Sequence, residues 1–341
     1  MEASHTEMPT TPLRWNWTAA SAEELSPFRR AALAVVDGDA TALRALLQAD
    51  PMLATAVGLP FDGVHGKKQQ GGPLLHYVAA NGVEDSLQRT PPNAPEILQI
   101  LLEAGALPDQ LGGAYGGGPN QTCLCLLVSS YHPFAAGVQP ELVRMLVRWG
   151  AQPNGLQDDG APLATALTFG YAAAAHALVE CGARVDNVFF AAGLGNVATT
   201  RAFFDTNGTP KPGSCGTYVQ CFGQAPAPVD PSAIVQEALH FACLHGHIAV
   251  GSFLVAQCGA DVNGVQPTGH HCALPLLQAL FTGVQGHMVE WLVRTGANPR
   301  LRDPNRKQTA LEFVASVGDT VQEQLIVRAE REKSVRSVSN L

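Results

Sequence analysis

Residues 237–263 read EALHFACLHGHIAVGSFLVAQCGADVN, and this stretch decides the fold of the chain. It holds two short apolar runs, separated by Gly246 and closed by Gly259-Ala260. A glycine between two such runs allows a tight turn, and a glycine after the second allows the left-handed backbone that commonly ends a helix. Apolar residues three and four positions apart give each run one packing face. The stretch therefore predicts two short helices joined by a tight turn.

The same arrangement recurs elsewhere, and the copies are found by the spacing of six residues between His240 and Gly246. His76 and Gly82 have this spacing, and Ala164 and Gly170 occupy the same two positions. Weaker copies fill the rest of the chain. A single unit could not bury its apolar face alone, so stacking of neighbours must stabilise the array. The eight candidate units begin at residues 28, 73, 122, 162, 188, 237, 274 and 309.

This repeat resembles the ankyrin consensus, in which a T-P-L-H-x-A core returns about every 33 residues. Leu239-His240-x-Ala242 carries the resemblance, which covers about residues 28–327. The chain looks most like bacterial and fungal ankyrin-domain proteins with the segments HYVAANGVE and SSYHP, here at 76–84 and 129–133. The resemblance implies an all-α ankyrin-repeat solenoid of about eight helix-turn-helix units. Because ankyrin proteins generally are interaction scaffolds, it also implies a binding function.

An arm, a tail and three insertions surround or interrupt the array. We expect an N-terminal arm at 1–27, a solenoid at 28–327 and a C-terminal tail at 328–341, of which the last eleven residues are solvated. The arm contains Trp15 and Trp17, which either cover the apolar stripe of the first repeat or anchor a partner. Insertions in repeat arrays emerge as loops, often on the binding side. The predicted insertions are 84–93, 131–139 and 209–233.

Composition excludes several classes of protein. With 21 basic and 29 acidic residues the formal net charge is −8, which argues against nucleic acid as a partner. The first residues lack the basic start and apolar core of a secretory signal. The eight cysteines lie mostly among apolar residues, as reduced thiols of a cytoplasmic protein do. Residues 160–179 are uncharged and long enough to span a membrane, but Gly170 divides them, so we expect no membrane span.

The candidate binding site is the concave face of the stack. In ankyrin stacks the first helix of each unit lines this face, and positions one, four and five after the consensus histidine point into it. The resulting stripe is uncharged and rich in aromatic residues, so it is covered by an arm or insertion, accepts an apolar partner helix, or holds a small molecule. Adding His132 from the second insertion, the candidate residues are Tyr77, Asn81, Ser129, Ser130, His132, Phe169, Phe190, Phe241, His245 and Phe281.

Catalytic and metal motifs are weak. We expect His76 and His240 to bond neighbouring backbone and join repeats, and Ser130-x-His132 does not by itself make a catalytic triad. The local His and Cys clusters lack the paired spacing of structural zinc sites, so no metal and no cofactor is predicted. The sequence thus indicates a module that binds another protein and has no catalytic role. The alternative is an enzyme or a binding protein with a small apolar ligand in the groove.

Overall fold

The computed structural model describes residues 26–62, 68–69, 71–113, 121–216, 229–265, 273–281 and 286–339. Within these ranges the helices form eight consecutive pairs, each with an inner and an outer helix. The inner helices are α1 (Pro27–Asp37), α3 (Leu74–Ala79), α5 (Cys123–Leu127), α8 (Ala161–Thr168), α10 (Val188–Gly193), α12 (Pro231–Leu244), α14 (Pro275–Phe281) and α16 (Ala310–Ser316). The outer helices are α2 (Ala40–Ala49), α4 (Ala94–Glu103), α7 (Gln139–Arg148), α9 (Ala172–Glu180), α11 (Val197–Ala202), α13 (Ile248–Cys258), α15 (Gly286–Thr295) and α17 (Thr320–Ser339). One further α-helix in the described ranges, α6 (Tyr131–Ala135), lies between α5 and α7, and short 3-10 helices cover Pro51–Ala54 and Asp85–Leu87.

The helix pairs stack in chain order. Each inner helix contacts the next inner helix, and most outer helices also contact the next outer helix. All six residues of α3 and all six of α10 are buried, because an inner helix is covered by its own partner and by both neighbouring units. The predicted all-α stack of helix-turn-helix units is therefore confirmed. The described strands are a small hairpin after the first pair, β1 (Phe61–Asp62) antiparallel to β2 (Lys68–Gln69).

The predicted glycine turns are present. Gly170 turns the chain between α8 and α9 with φ 77°, and Gly246 turns it between α12 and α13 with φ 75°. Both values lie in the left-handed region, where a side chain would be strained. The uncharged stretch at 160–179 is thus divided into two short helices, as expected. Among the described residues, no helix has both the length and the apolar character needed to cross a membrane.

The two consensus histidines lie inside the stack. His240 places Nδ1 2.7 Å from the Gln236 carbonyl oxygen and Nε2 2.7 Å from that of Ala273, at the start of the next unit. The prediction that His240 joins repeats through backbone contacts is confirmed. His76 is fully buried beside Gly72 and Gly112, where a Cβ would come within 2.6 Å of the ring. Burial lowers the pKa of both histidines to about 4.

The first two insertions are more ordered than free loops. In 84–93, Leu87 is buried, Arg89 forms an ion pair with Asp37, and the Asn93 amide donates to the Gly38 carbonyl at 3.0 Å. This segment therefore packs on the turn of the first unit. The insertion at 131–139 folds into α6 and then continues directly into α7.

The third insertion is shorter than predicted. The Ser214 carbonyl accepts a hydrogen bond of 2.9 Å from the Val188 backbone, which ties the start of this segment to α10. Helix α12 already begins at Pro231, because the Asp230 carboxylate accepts hydrogen bonds from the backbone of Ser232 and Ala233. Residues 217–228 of the predicted insertion lie outside the described residues, and so do residues 1–25 of the predicted arm.

The predicted boundary between solenoid and tail at residue 328 is too early in the chain. Helix α17 runs to Ser339, and Ala329 is buried one turn after the buried Ile326. Arg328 and Glu332 also form ion pairs with α15. This packing was not predictable from the sequence, because Ala329 is a single small apolar residue among charged ones.

Candidate functional site

The ten predicted groove residues do not form one exposed surface. Phe281 is exposed, and the guanidinium of Arg306 lies 4.3 Å from the centre of its ring. The other nine residues are wholly or partly buried, so the concave face is less open than the consensus positions suggest. Asn81, His132, Phe169 and His245 are partly buried, and Tyr77, Ser129, Ser130, Phe190 and Phe241 are buried.

Phe190 and Phe241 are corrected from groove residues to core residues, with exposures of 0% and 3%. The cause lies on α10. A Cβ at Gly193 would come 3.1 Å from Leu167 of α8 and 3.3 Å from Phe241 of α12. Without that Cβ the two flanking inner helices approach each other over α10 and contact each other directly. The concave face is therefore closed at the fifth unit.

His245 strengthens this closure. Its Nε2 donates to the Leu167 carbonyl at 2.8 Å, so a residue after α12 in the sixth unit reaches α8 in the fourth. The neighbouring His247 donates from Nε2 to the Gly193 carbonyl at 3.0 Å, one unit away. Burial lowers the pKa of both histidines, that of His245 to about 4. Both rings connect units and are partly buried, so little of their surface is available to a partner.

Asn81, Ser129 and Ser130 join the second and third units. The Asn81 amide donates to the Ser129 hydroxyl at 2.8 Å, and the Ser129 hydroxyl donates to the Leu126 carbonyl at 2.9 Å. The Ser130 hydroxyl donates to the Ala80 carbonyl at 3.2 Å. No hydrogen bond within the described part of the chain joins Ser130 to His132. The Ser130 hydroxyl is thus directed to the backbone of the second unit and not to the His132 imidazole.

Among the described residues, the most exposed aromatic surface lies at the turns of the third and fourth units. Four rings form what we call the aromatic row: Tyr131, Phe134, Tyr171 and Phe169. Phe134 stacks on Tyr171 with ring centres 4.6 Å apart, and Tyr171 lies nearly parallel to Phe169 at 6.3 Å. Tyr131 lies 6.4 Å from Phe134 at the open end of the row. The row therefore brings together residues from two consecutive units.

The second insertion creates this row. Helix α6 buries Pro133 and leaves Tyr131 66% and Phe134 46% exposed. Tyr171 forms the base of the row and is almost buried, which raises its pKa to about 12. The predicted residue His132 lies beside Tyr131 with ring centres 6.1 Å apart, and partial burial lowers its pKa.

Tyr131, Phe134 and Tyr171 were not among the predicted site residues. The consensus positions count along an inner helix, whereas these three residues lie in and after the turns that follow α5 and α8. A signal was available, because two aromatic residues three positions apart in an insertion favour an exposed aromatic face.

A second concave feature lies at the first unit, and we call it the first-unit cavity. It measures about 760 Å³ and is open to solvent. Phe28 and Tyr77 form part of its wall, with ring centres 6.0 Å apart at 67°. The Tyr77 hydroxyl donates to Glu84 at 2.9 Å, and Arg29 forms an ion pair with the same carboxylate. Burial, and then the negative charge of Glu84, raise the pKa of Tyr77.

Within the described ranges, no group of three or more His, Cys, Asp or Glu side chains has the geometry of a metal site. Two groups of His and Cys in the sequence, His270-His271-Cys272 and Cys221 with Cys215, lie wholly or partly outside those ranges. In the described part of the chain, the aromatic row and the first-unit cavity are the places that we consider for a partner or ligand.

Comparison with known proteins gives one family match. Residues 236–264 match the ankyrin repeat family, and no match was found among curated proteins. Among solved structures, the chain is similar to the crystal structure of the human ASB11 ankyrin repeat domain. The identity is 17%, the alignment covers 90% of this chain and 98% of that chain, and the TM-score is 0.38. The matched residues include the second half of α12, the Gly246 turn and all of α13. The chain thus contains an ankyrin repeat at 236–264, set within a stack of helix pairs of the same kind.

Proposed function

We propose that this chain is a protein-binding module and that the aromatic row is the centre of its binding surface. Ankyrin repeats are in general protein-interaction modules, and the solvent exposure of Tyr131 and Phe134 carries the choice of surface. Both rings are large, Phe134 is supported by the stacked ring of Tyr171, and Tyr131 lies against Phe134. The partner is a protein that presents an apolar face to the turns of the third and fourth units.

The energetics of binding favour such a row. Large rings supply much of the affinity at protein interfaces, and neighbouring contacts mainly exclude water. Rings that already stack in the free protein lose little side-chain freedom on binding, which lowers the entropic cost of association. Tyr131 is 66% exposed, and a tyrosine hydroxyl can donate to a partner while the ring is covered.

The alternative is a small apolar ligand, and it is favoured by one observation. The first-unit cavity has a volume in the range of ligand pockets, and Phe28, Leu53 and Leu59 give it an apolar lining. This site lies in different units from the aromatic row, so substitutions can separate the two functions.

The test of the protein-binding proposal uses Tyr131→Ala and Phe134→Ala. The tagged full-length protein is first used to capture partners from its own cells, and the affinity of the main partner is then measured with purified proteins. Each substitution should weaken binding by about 1–3 kcal/mol, or roughly 5- to 150-fold. Val321→Ala is the matched control, because Val321 is 70% exposed on α17, far along the chain from the row.

The urea midpoints of the two variants should stay close to that of the wild type, because both rings are largely outside the core. Unchanged affinity in both variants, with the partner still bound by the control, would show that the surface lies elsewhere. A small molecule that is retained through purification and lost in Leu59→Asp, with no protein partner, would favour the alternative.

We further infer a reducing compartment such as the cytoplasm. The six described cysteines are all free thiols, and Cys123, Cys125 and Cys243 are buried. Burial raises the pKa of Cys123 and Cys243 and keeps these thiols in the unreactive protonated form. Thiol counting on protein taken from acid-quenched cells and then denatured should give eight reactive groups. A lower count would indicate disulfides and an oxidising compartment.

A further inference from the structure

The first-unit cavity lies where the chain enters the stack. Ser26 and Pro27, the first described residues, form part of its lining. Twenty-five residues precede Ser26 in the sequence, and they include Trp15 and Trp17. We propose that this arm folds back on the first unit and places the Trp15 and Trp17 rings in the first-unit cavity.

The surface around the cavity exposes apolar side chains, as a surface does that another segment covers. Leu59 is 81% and Val57 52% exposed, and both line the cavity together with the partly buried Phe28. A repeat unit buries its apolar surface against its neighbours, and no described unit precedes α1. An indole ring that covers these side chains removes on the order of 200 Å² of its own surface from water.

The polar groups of the cavity suit an indole. A buried tryptophan needs an acceptor for its ring N–H, since it is a donor only. The carboxylates of Glu84 and Asp50 both line the cavity. Arg29 and Tyr77 hold Glu84 in place, and a carboxylate has more acceptor sites than these two donors use. The cavity thus combines an apolar wall with a fixed acceptor.

The geometry of the chain permits this docking. Trp17 lies nine residues before Ser26, and nine extended residues span up to about 30 Å. Trp15 and Trp17 are two positions apart, so an extended arm directs both rings to the same side. The arm is covalently attached at the rim of the cavity, and this gives it a high effective concentration over any separate ligand.

The test measures how well solvent reaches the two rings in the full-length protein. The four tryptophans are labelled as 5-fluorotryptophan, and the fluorine signals are assigned with Trp15→Phe and Trp17→Phe. Broadening by a soluble gadolinium chelate then reports exposure, with a peptide of residues 1–25 as the fully exposed reference. We expect broadening of the Trp15 and Trp17 signals to be at least threefold weaker in the protein than in the peptide.

Two substitutions decide whether the cavity is the cause. Leu59→Asp places a charge in the cavity wall and should raise the broadening of both signals to the peptide level. Met52→Asp is the matched control, because Met52 is 72% exposed in the same segment but does not line the cavity, and it should change nothing. Both residues are exposed, so neither substitution removes core packing.

Three results would overturn the proposal. The first is that Trp15 and Trp17 are as accessible in the wild-type protein as in the peptide. The second is protection that persists in Leu59→Asp. The third is protection that appears only when sedimentation velocity shows a dimer, which would make the occupant a second copy of this chain.

Discussion

The backbone angle φ of Gly170 determines the turn between the two helices of the fourth unit. Its φ of 77° turns the chain from α8 into α9, and a β-branched residue resists this conformation. We expect Gly170→Val to lower the free energy of unfolding by about 1–3 kcal/mol, as measured by urea denaturation. Ala172→Val, at an exposed position in α9, is the control and should cost only a few tenths of a kcal/mol. A wild-type midpoint for Gly170→Val would mean that this turn is absent from the native fold.

The buried histidines make stability depend on pH. His76 and His240 have pKa values of about 4 against an ordinary 6.5, so the folded state favours the neutral rings. The unfolded chain binds more protons between these values, and stability is therefore lost as the pH falls from 6.5 towards 4. Between pH 7.5 and 5 we expect a loss of about 2 kcal/mol for each histidine, measured by urea denaturation.

The control for this pH effect is His240→Gln. This variant should be less stable at pH 7.5 but should lose less further stability on acidification than the wild type. If wild-type stability is flat from pH 7.5 to 5, the histidines are not buried as neutral rings.

At the scale of elements, helices with a repeating pattern were predictable and irregular ones were not. The pair α12 and α13 follows directly from the apolar runs and from Gly246 and Gly259. Helix α6 is a single turn whose formation depends on Pro133 packing against the core, a contact that leaves no periodic signal in the sequence. The groove prediction failed at the fifth unit for a related reason, since the absence of a Cβ at Gly193 changes the distance between helices that are not adjacent in the chain.

Helix α17 provides a test at this scale. Arg294 pairs with Glu332, and Arg328 pairs with Glu290, so α17 is tied to α15 beyond residue 327. A chain that ends at residue 327 should lose about 1–3 kcal/mol, from the buried Ala329 and from the charge network. Part of this loss should disappear at high salt. A chain that ends at residue 333 keeps both features and should match the full length, whereas equal urea midpoints for both truncations would contradict the packing of α17.

At the scale of the whole molecule, the stack is irregular in its middle. The fifth unit has two helices of six residues each, the shortest pair among the described units. The sixth unit reaches over it to the fourth through His245 and through the contact of α12 with α8. The two candidate binding places, the first-unit cavity and the aromatic row, lie on the N-terminal side of this closure.

The His245 contact has a consequence for how the protein opens. When each unit of a stack contacts only its nearest neighbours, the units can unfold one interface after another. A bond that skips a unit gives a next-nearest-neighbour coupling, so the fourth, fifth and sixth units should open as one cooperative block. In native-state hydrogen exchange, amides of α8, α10 and α12 should then share one opening free energy. In His245→Ala the three helices should have different opening free energies. In His247→Ala, which removes a contact between adjacent units, they should still share one opening free energy, but a lower one.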